Sequence, residues 1–159
     1  EAAEPGADGH AVGAATPFVG CEDVAFLPQE GEHTAMGWVV DATGLDEMLL
    51  RLHRDHPGLP LMITENGAAF DDTVDADGTV RDERRIAYLR EHVAAAERAI
   101  EAGVDLRGYF AWSLMDNFEW SYGYSKRFGL IHVDYATGTR TWKDSAYWYR
   151  DLIAASGRR

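Results

Sequence analysis

The apolar positions Leu45, Met48, Leu49 and Leu52 recur at i, i+3, i+4 and i+7, a spacing that lays one stripe along a helix. Pro57-Gly58 stops it. Residues 61–64, Leu-Met-Ile-Thr, form a short continuous apolar run of the kind that becomes a buried strand. It ends abruptly at Glu65-Asn66-Gly67. An Asp/Gly-rich loop with a turn signal at Asp77-Gly78 follows, and then a second helical stripe of Ile86, Leu89, Val93, Ala96 and Ile100, with Gly103 placed as its C-terminal cap. Beyond it residues 104–120 predict an apolar and aromatic strand running into another loop, followed by a strand-like stretch over 128–135 and a turn at Thr137-Gly138. Asp144-Ser145 can cap a last helix through about Ala155. Residues 1–31 are rich in Ala, Gly, Pro and acids without sustained periodicity and read as a loop-rich start.

Helix, strand, loop, helix, strand, loop, helix is the rhythm of a parallel α/β protein, whose strands need crossover helices between them. The two densest loops follow strands at their C-terminal ends, where barrel enzymes and open α/β sheets place their sites. No internal repeat has a fixed residue signature, which argues against a solenoid.

The composition narrows the function. A net charge of −12 over 159 residues repels phosphate, so neither nucleic acid nor an anionic membrane suits the chain as a partner. No apolar run approaches the ~20 residues of a membrane helix. One cysteine, Cys21, cannot form an internal disulfide, which fits a reducing compartment. Adjacent acids Glu22 and Asp23 would suppress its thiolate, so it reads as structural. The first residue is Glu1 and no basic-then-apolar leader precedes it, so the N-terminus reads as a cut. Scarce Lys beside abundant Arg, Ala and Gly suggests a GC-rich bacterial genome, with the cytoplasm as the expected location.

Two stretches carry candidate chemistry. Glu65 beside Asn-Gly is either an ordinary solvated acid at a turn or an acid that a strand aims into a site, and spacing alone leaves both open. The second stretch places Trp112, Phe118, Trp120, Tyr122, Tyr124 and Phe128 among Asp116, Asn117 and Glu119. Sugar rings offer C–H faces to indoles and hydroxyls to carboxylates, so this mixture suits carbohydrate. An aromatic core under a long loop is the competing reading. A calcium loop around Gly78 fails, because Thr73 and Arg84 would occupy its first and twelfth positions, where carboxylates are required. His53 and His56 lack a third ligand nearby and read as exposed. No phosphate-binding glycine loop, Gly-x-Ser-x-Gly elbow or cysteine pair is present, so no metal or cofactor is expected.

Ile63-Thr64-Glu65-Asn66-Gly67, the run Trp112-Ser113-Leu114-Met115-Asp116-Asn117-Phe118-Glu119-Trp120, and Gly123-Tyr124-Ser125-Lys126-Arg127-Phe128-Gly129 together closely resemble glycoside hydrolase family 1, the β-glucosidase family. Gly37-Trp38 and the stretch from Lys143 to Ile153 fit its pattern too, and the resemblance covers about residues 36–153. Val39 and Ala42 depart from the Glu and Pro that often follow Gly-Trp.

The resemblance implies a retaining β-glucosidase acting on terminal, non-phosphorylated β-D-glucosyl residues, with galactosyl or fucosyl as alternatives. Glu65 is carried over as nucleophile. In such enzymes two carboxyls about 5–5.5 Å apart flank the scissile bond. Glu119 would bind the outer hydroxyls of the glycone, Trp120 would assist through its indole N–H, Trp112 would form the sugar platform and Phe128 would wall the region of the 6-hydroxyl. Relatives that hydrolyse 6-phosphoglycosides present serine, lysine and tyrosine to the phosphate, whereas the Glu119 carboxylate would repel a dianion.

The family's acid/base glutamate lies in an Asn-Glu-Pro motif that does not occur here, and its upstream Gln and His-Trp glycone ligands are missing as well. A complete (β/α)8 TIM barrel takes about 250 residues. The implied fold is therefore α/β, the C-terminal part of a TIM barrel, with strands seven and eight and their flanking helices. Residues 1–159 would be one C-terminal segment of a single domain, with 1–35 loop-rich and 36–155 the barrel portion. Such a segment needs the N-terminal part of the barrel for activity. Two rival classes are a non-catalytic carbohydrate-binding module, which would not need Glu65, and an assembly fragment that complements a separate N-terminal half.

Overall fold

Asp41 starts the first helix: its carboxylate accepts the backbone N–H groups of Thr43 at 2.9 Å and Gly44 at 3.3 Å, satisfying donors that a helix start leaves unpaired. In the computed structural model, which describes residues 29–157, helix α1 runs Ala42–Asp55, three residues earlier than the apolar stripe predicts. The expected loop over 1–31 and Cys21 lie almost wholly outside the described residues. The chain divides into two compact units, Glu1–Val40 and Asp41–Arg159. In the first, a tight reversal brings His33 opposite Val39 and puts Gly37 at φ 76°, a conformation that suits glycine.

The second unit holds a β-α-β element. Strand β1 (Leu61–Asn66) and strand β2 (Leu106–Ala111) pair in parallel, with helix α2 (Glu83–Glu101) as the crossover. The strand expected over 61–64 continues through Asn66, so Glu65 lies within it and not beyond its end. Leu49 of α1, Ile63 of β1, Ala96 and Ala99 of α2 and Val104 form the buried cluster between helices and sheet. At the end of α2, Gly103 adopts φ +102° and donates to Ile100 O, while Val104 N–H donates to Ala99 O. This is a Schellman close, as the glycine position predicts.

The buried face of α2 is rotated from the expected one. Ile100 is exposed and Val93 half-buried, while Arg85 and His92 are buried. Burial of these two polar side chains is compensated by partners on other segments and on the helix backbone, which an apolar pattern cannot register.

After β2 comes a long loop with a single 3-10 turn, Trp120–Tyr122, and then an antiparallel hairpin of β3 (Ile131–Val133) and β4 (Arg140–Trp142) turning at Gly138, φ +73°. Strand β3 and the turn fall where the strand-like stretch over 128–135 and the Thr137-Gly138 signal predict them, and β4 is the addition. Helix α3 (Asp144–Ser156) follows. Its first turn is capped from outside: Asp82 accepts Ser145 N–H at 2.8 Å and the Ser145 hydroxyl. Asp144 and Ser145 lie within the helix, and Lys143 at the N-cap position makes no side-chain cap. Among the described residues the strands form two two-stranded sheets and no closed barrel.

Candidate active site

Parallel strands end on the same side of a sheet, so Glu65 near the end of β1 and Trp112 just beyond β2 are neighbours there. Trp112 N–H donates to Asn66 O at 2.9 Å. A Cβ at Gly67 would stand 1.7 Å from the Trp112 carbonyl oxygen, so only glycine lets the chain leave β1 against that backbone. The Trp112-Ser113 peptide bond is cis. Glu65 is exposed and Trp112 is 38 % exposed.

The loop beyond Trp112 is pinned at both ends. Ser113 N–H donates to Phe128 O at 3.1 Å, and Leu130 N–H donates to Ser113 O at 2.9 Å. Asp116 is the hub. Its carboxylate accepts Gly129 N–H at 2.9 Å, Arg127 Nη1 at 2.6 Å and Lys143 Nζ at 2.9 Å. Between these anchors Glu119, half-buried, closes a small loop through Glu119 N–H to Gly123 O at 2.7 Å and Tyr122 N–H to Glu119 O at 2.8 Å. Trp120 follows at φ 41° with 83 % of its surface exposed.

The aromatic-core reading does not fit these positions. Phe118 is 58 % exposed and packs edge-on against Tyr124, which in turn contacts Tyr135. Of the aromatic residues named from sequence in this stretch, Phe128 is the one that is buried, at 4 % exposure. The structure thus brings Glu65 and Trp112 to adjoining strand ends, sets Glu119 and Trp120 on the anchored loop, and places Phe128 in that loop's base.

An ionic cluster beneath this surface escaped the sequence reading. Asp72 Oδ2 accepts Arg85 Nη2 at 2.7 Å and Lys143 Nζ at 2.6 Å, and Asp82 accepts Arg85 Nη1 at 2.6 Å. Burial alone would raise the Asp116 carboxyl, but Lys143 and Arg127 hold it below the usual carboxylate range. Burial lowers the Lys143 ammonium against the pull of Asp72 and Asp116. Lys143, at the N-cap position of α3, carried no sequence signal of this burial.

No group of three or more His, Cys, Asp or Glu is arranged to hold a metal among the described residues. In the acidic loop before α2, Asp77 pairs with Arg81 Nη2 at 2.6 Å and Asp75 pairs with Arg81 Nη1. His53 is half-buried and His56 exposed. No described helix is long and apolar enough to cross a membrane.

The sequence pattern of glycosyl hydrolase family 1 matches residues 17–158. A bifunctional beta-D-glucosidase/beta-D-fucosidase of Bifidobacterium breve is 57 % identical over 139 residues, which are 85 % of this chain and 30 % of the relative. A 6-phospho-beta-galactosidase of Streptococcus equi subsp. zooepidemicus is 45 % identical over 122 residues, 76 % of this chain and 26 % of the relative. Among solved structures, the psychrophilic beta-glucosidase of Micrococcus antarcticus superposes with a TM-score of 0.83 at 54 % identity, over 89 % of this chain and 30 % of that one. The family 1 β-glucosidase of Thermotoga maritima bound to isofagomine lactam gives 0.80 at 48 %, over 82 % of this chain and 30 % of that one. The chain thus spans about 30 % of the length of these glucosidase relatives.

Proposed function

The chain belongs to glycosyl hydrolase family 1, and from that premise we propose that it forms the C-terminal part of a retaining β-glucosidase, with Glu65 as the nucleophile. The observation that carries this reading is the juxtaposition of Glu65 with Trp112 at adjoining strand ends, above a loop that presents Glu119 and Trp120. Glu65 would attack the anomeric carbon and form a glycosyl ester. A second carboxylic acid, outside this chain, would protonate the departing oxygen and then activate the water that cleaves the ester. Trp112 offers an apolar face to the sugar, Glu119 and the Trp120 N–H bind its outer hydroxyls, and Phe128 backs the 6-hydroxyl region.

The substrate in this reading is a terminal β-D-glucosyl residue, with β-D-fucosyl and galactosyl as close variants. The family includes a relative named for a phosphorylated sugar, so the glycone is a choice within it. The Glu119 carboxylate favours a neutral 6-hydroxyl over a phosphate dianion.

Strands β1 and β2 correspond in this reading to the seventh and eighth of a barrel. The remaining strands would cover an apolar groove of about 480 Å³ beside β2, lined by Phe110, Leu114, Trp142, Tyr149 and Ile153. Uncovered parallel strands are poorly stable and prone to associate. The segment alone also lacks the acid/base group, commonly worth about 10²–10⁴ in rate.

The test is the intact mass after exposure to a 2-deoxy-2-fluoroglucoside with an activated leaving group, for this chain alone and joined behind the upstream part of the Bifidobacterium breve relative. A one-sugar adduct mapped to Glu65 in the joined protein is the expected result. Turnover without any adduct at Glu65 would overturn the assignment, and faster cleavage of a 6-phosphoglucoside than of the glucoside would overturn the glycone.

A further inference from the structure

Strands β1 and β2 do not keep step. Their partners are Leu61 with Leu106, Ile63 with Tyr109 and Asn66 with Ala111. In the first interval β2 uses one residue more than β1, and in the second β1 uses one more than β2. The second offset falls on Thr64-Glu65, and an extra residue of this kind re-aims the side chains around it.

Strict alternation from Ile63 would turn Glu65 toward the face Ile63 occupies, among Leu49, Ala96 and Ala99. With the extra residue, Thr64 and Glu65 are both exposed, and it is Asn66 that returns to the helix side. There its Oδ1 accepts the Tyr109 hydroxyl at 2.6 Å, and the Tyr88 hydroxyl of α2 lies beside the same side chain. Tyr149 of α3 donates in turn to Tyr109 O at 3.2 Å. The Asn66 carbonyl meanwhile holds Trp112 N–H.

We propose that Asn66 is a positioning residue: the Tyr109 hydroxyl, with Tyr88 beside it, holds its amide in the helix layer, and this fixes the strand offset that turns Glu65 away from the core and toward the sugar site. The inference rests on Glu65 being the nucleophile. Its geometric half, that the Tyr109 hydroxyl beside Tyr88 holds the offset, stands on β1, α2 and β2 alone. Neither tyrosine is among the residues assigned to the sugar, so their effect on Glu65 runs through Asn66.

The experiment uses this chain joined behind the upstream part of the Bifidobacterium breve relative, comparing the parent with Tyr88→Phe, Tyr109→Phe and the double variant. The rate constant for glycosylation by the activated 2-deoxy-2-fluoroglucoside is expected to fall at least tenfold in the double variant. The dissociation constant of a reversible glucose-shaped inhibitor should stay within about twofold, because Trp112, Glu119 and Trp120 are untouched. An unchanged glycosylation rate in a double variant of lowered Tm would mean that the tyrosines only stabilise the fold, and would overturn the proposal.

A second readout is independent of catalysis. In a Glu65→Cys, Cys21→Ser background, the introduced thiol should react with an aqueous thiol reagent at least tenfold more slowly once both tyrosine hydroxyls are removed. An equal rate overturns the positioning role. A slowed thiol in a protein whose parent turns over substrate without an adduct at Glu65 would uphold the clamp and remove Glu65 as nucleophile.

Discussion

Lys143 places its ammonium 2.9 Å from Asp116 Oδ1, and neither side chain reaches solvent. Lys143 stands at the start of α3 and Asp116 in the loop after β2, so this contact fastens that loop to the helix layer. The same ammonium reaches Asp72 at 2.6 Å, and Asp72 shares its oxygen with Arg85. Asp72, Asp82 and Asp116 are balanced by Arg85, Arg127 and Lys143.

Removing one member of such a cluster costs more than the pair contributes, because the partner left behind stays buried and charged. Lys143→Met should therefore destabilise the joined protein by about 3–5 kcal/mol, read as a lowered urea midpoint at unchanged slope. Lys143→Met with Asp116→Asn should cost less than the sum of the two single changes. An additive double variant would show that the two groups do not depend on each other.

Gly67 tests the strand-end geometry by sterics alone. A Cβ there meets the Trp112 carbonyl oxygen at 1.7 Å, backbone against side chain, with no flexible group to yield. Gly67→Ala should cost about 3 kcal/mol or more, at the upper end of overpacking, and abolish labelling of Glu65. Gly78, at φ +80° with nothing near its Cβ, supplies the contrast: Gly78→Ala should cost about 1 kcal/mol and leave activity intact. Thermal melts of both variants check the ordering.

The place of Glu65 near a strand end was legible because an apolar run leads to it and Asn-Gly follows, while its proposed role came from the family resemblance. What Asn66 does was not legible, since its amide finds Tyr109 through a register offset, 43 residues away. The turn of α2 was misplaced for a related reason. Arg85 and His92 count as polar in any periodicity, and their burial is made tolerable by Asp72, Asp82 and the Arg127 carbonyl for the first and the Tyr88 carbonyl for the second. Ser145 was correctly placed at a helix start, but its cap comes from Asp82, 63 residues earlier. Arg140-Thr141-Trp142 is too short for a period of two to declare itself as a strand. Local spacing carried the elements, and long-range pairing carried their faces and ends.

Trp120 and Glu119 should separate recognition from stability. Trp120 is 83 % exposed, so Trp120→Ala removes little packing within this chain. The expectation is a fall in kcat/KM for an aryl β-glucoside of at least tenfold, with Tm unchanged within about a degree. Glu119→Gln removes a charged acceptor, whose hydrogen bonds are worth about 1.5–3 kcal/mol, roughly tenfold to a hundredfold in kcat/KM. A loss of Tm comparable to that of Gly67→Ala would instead make these residues part of the scaffold.

Buried histidines set the acid limit of the fold. His92 and His132 both have pKa values lowered from 6.5, with burial the first cause in each. The charge of Arg127 adds to the effect at His132 while Asp116 opposes it, and the Tyr88 carbonyl opposes it at His92. The unfolded chain therefore takes up protons below pH 6.5 that the folded chain does not, so stability is lost as pH falls from 6.5 toward the folded values and is fully present above. Asp116 adds a later loss, because its folded carboxyl lies below 3.8 and its contribution disappears only as pH falls beneath that value. Tm of the joined protein should drop by several degrees between pH 7 and pH 5. In a His92→Gln, His132→Gln variant the drop should be much smaller, whatever the variant's Tm at pH 7. An unaltered pH slope in that variant would assign the loss to other groups.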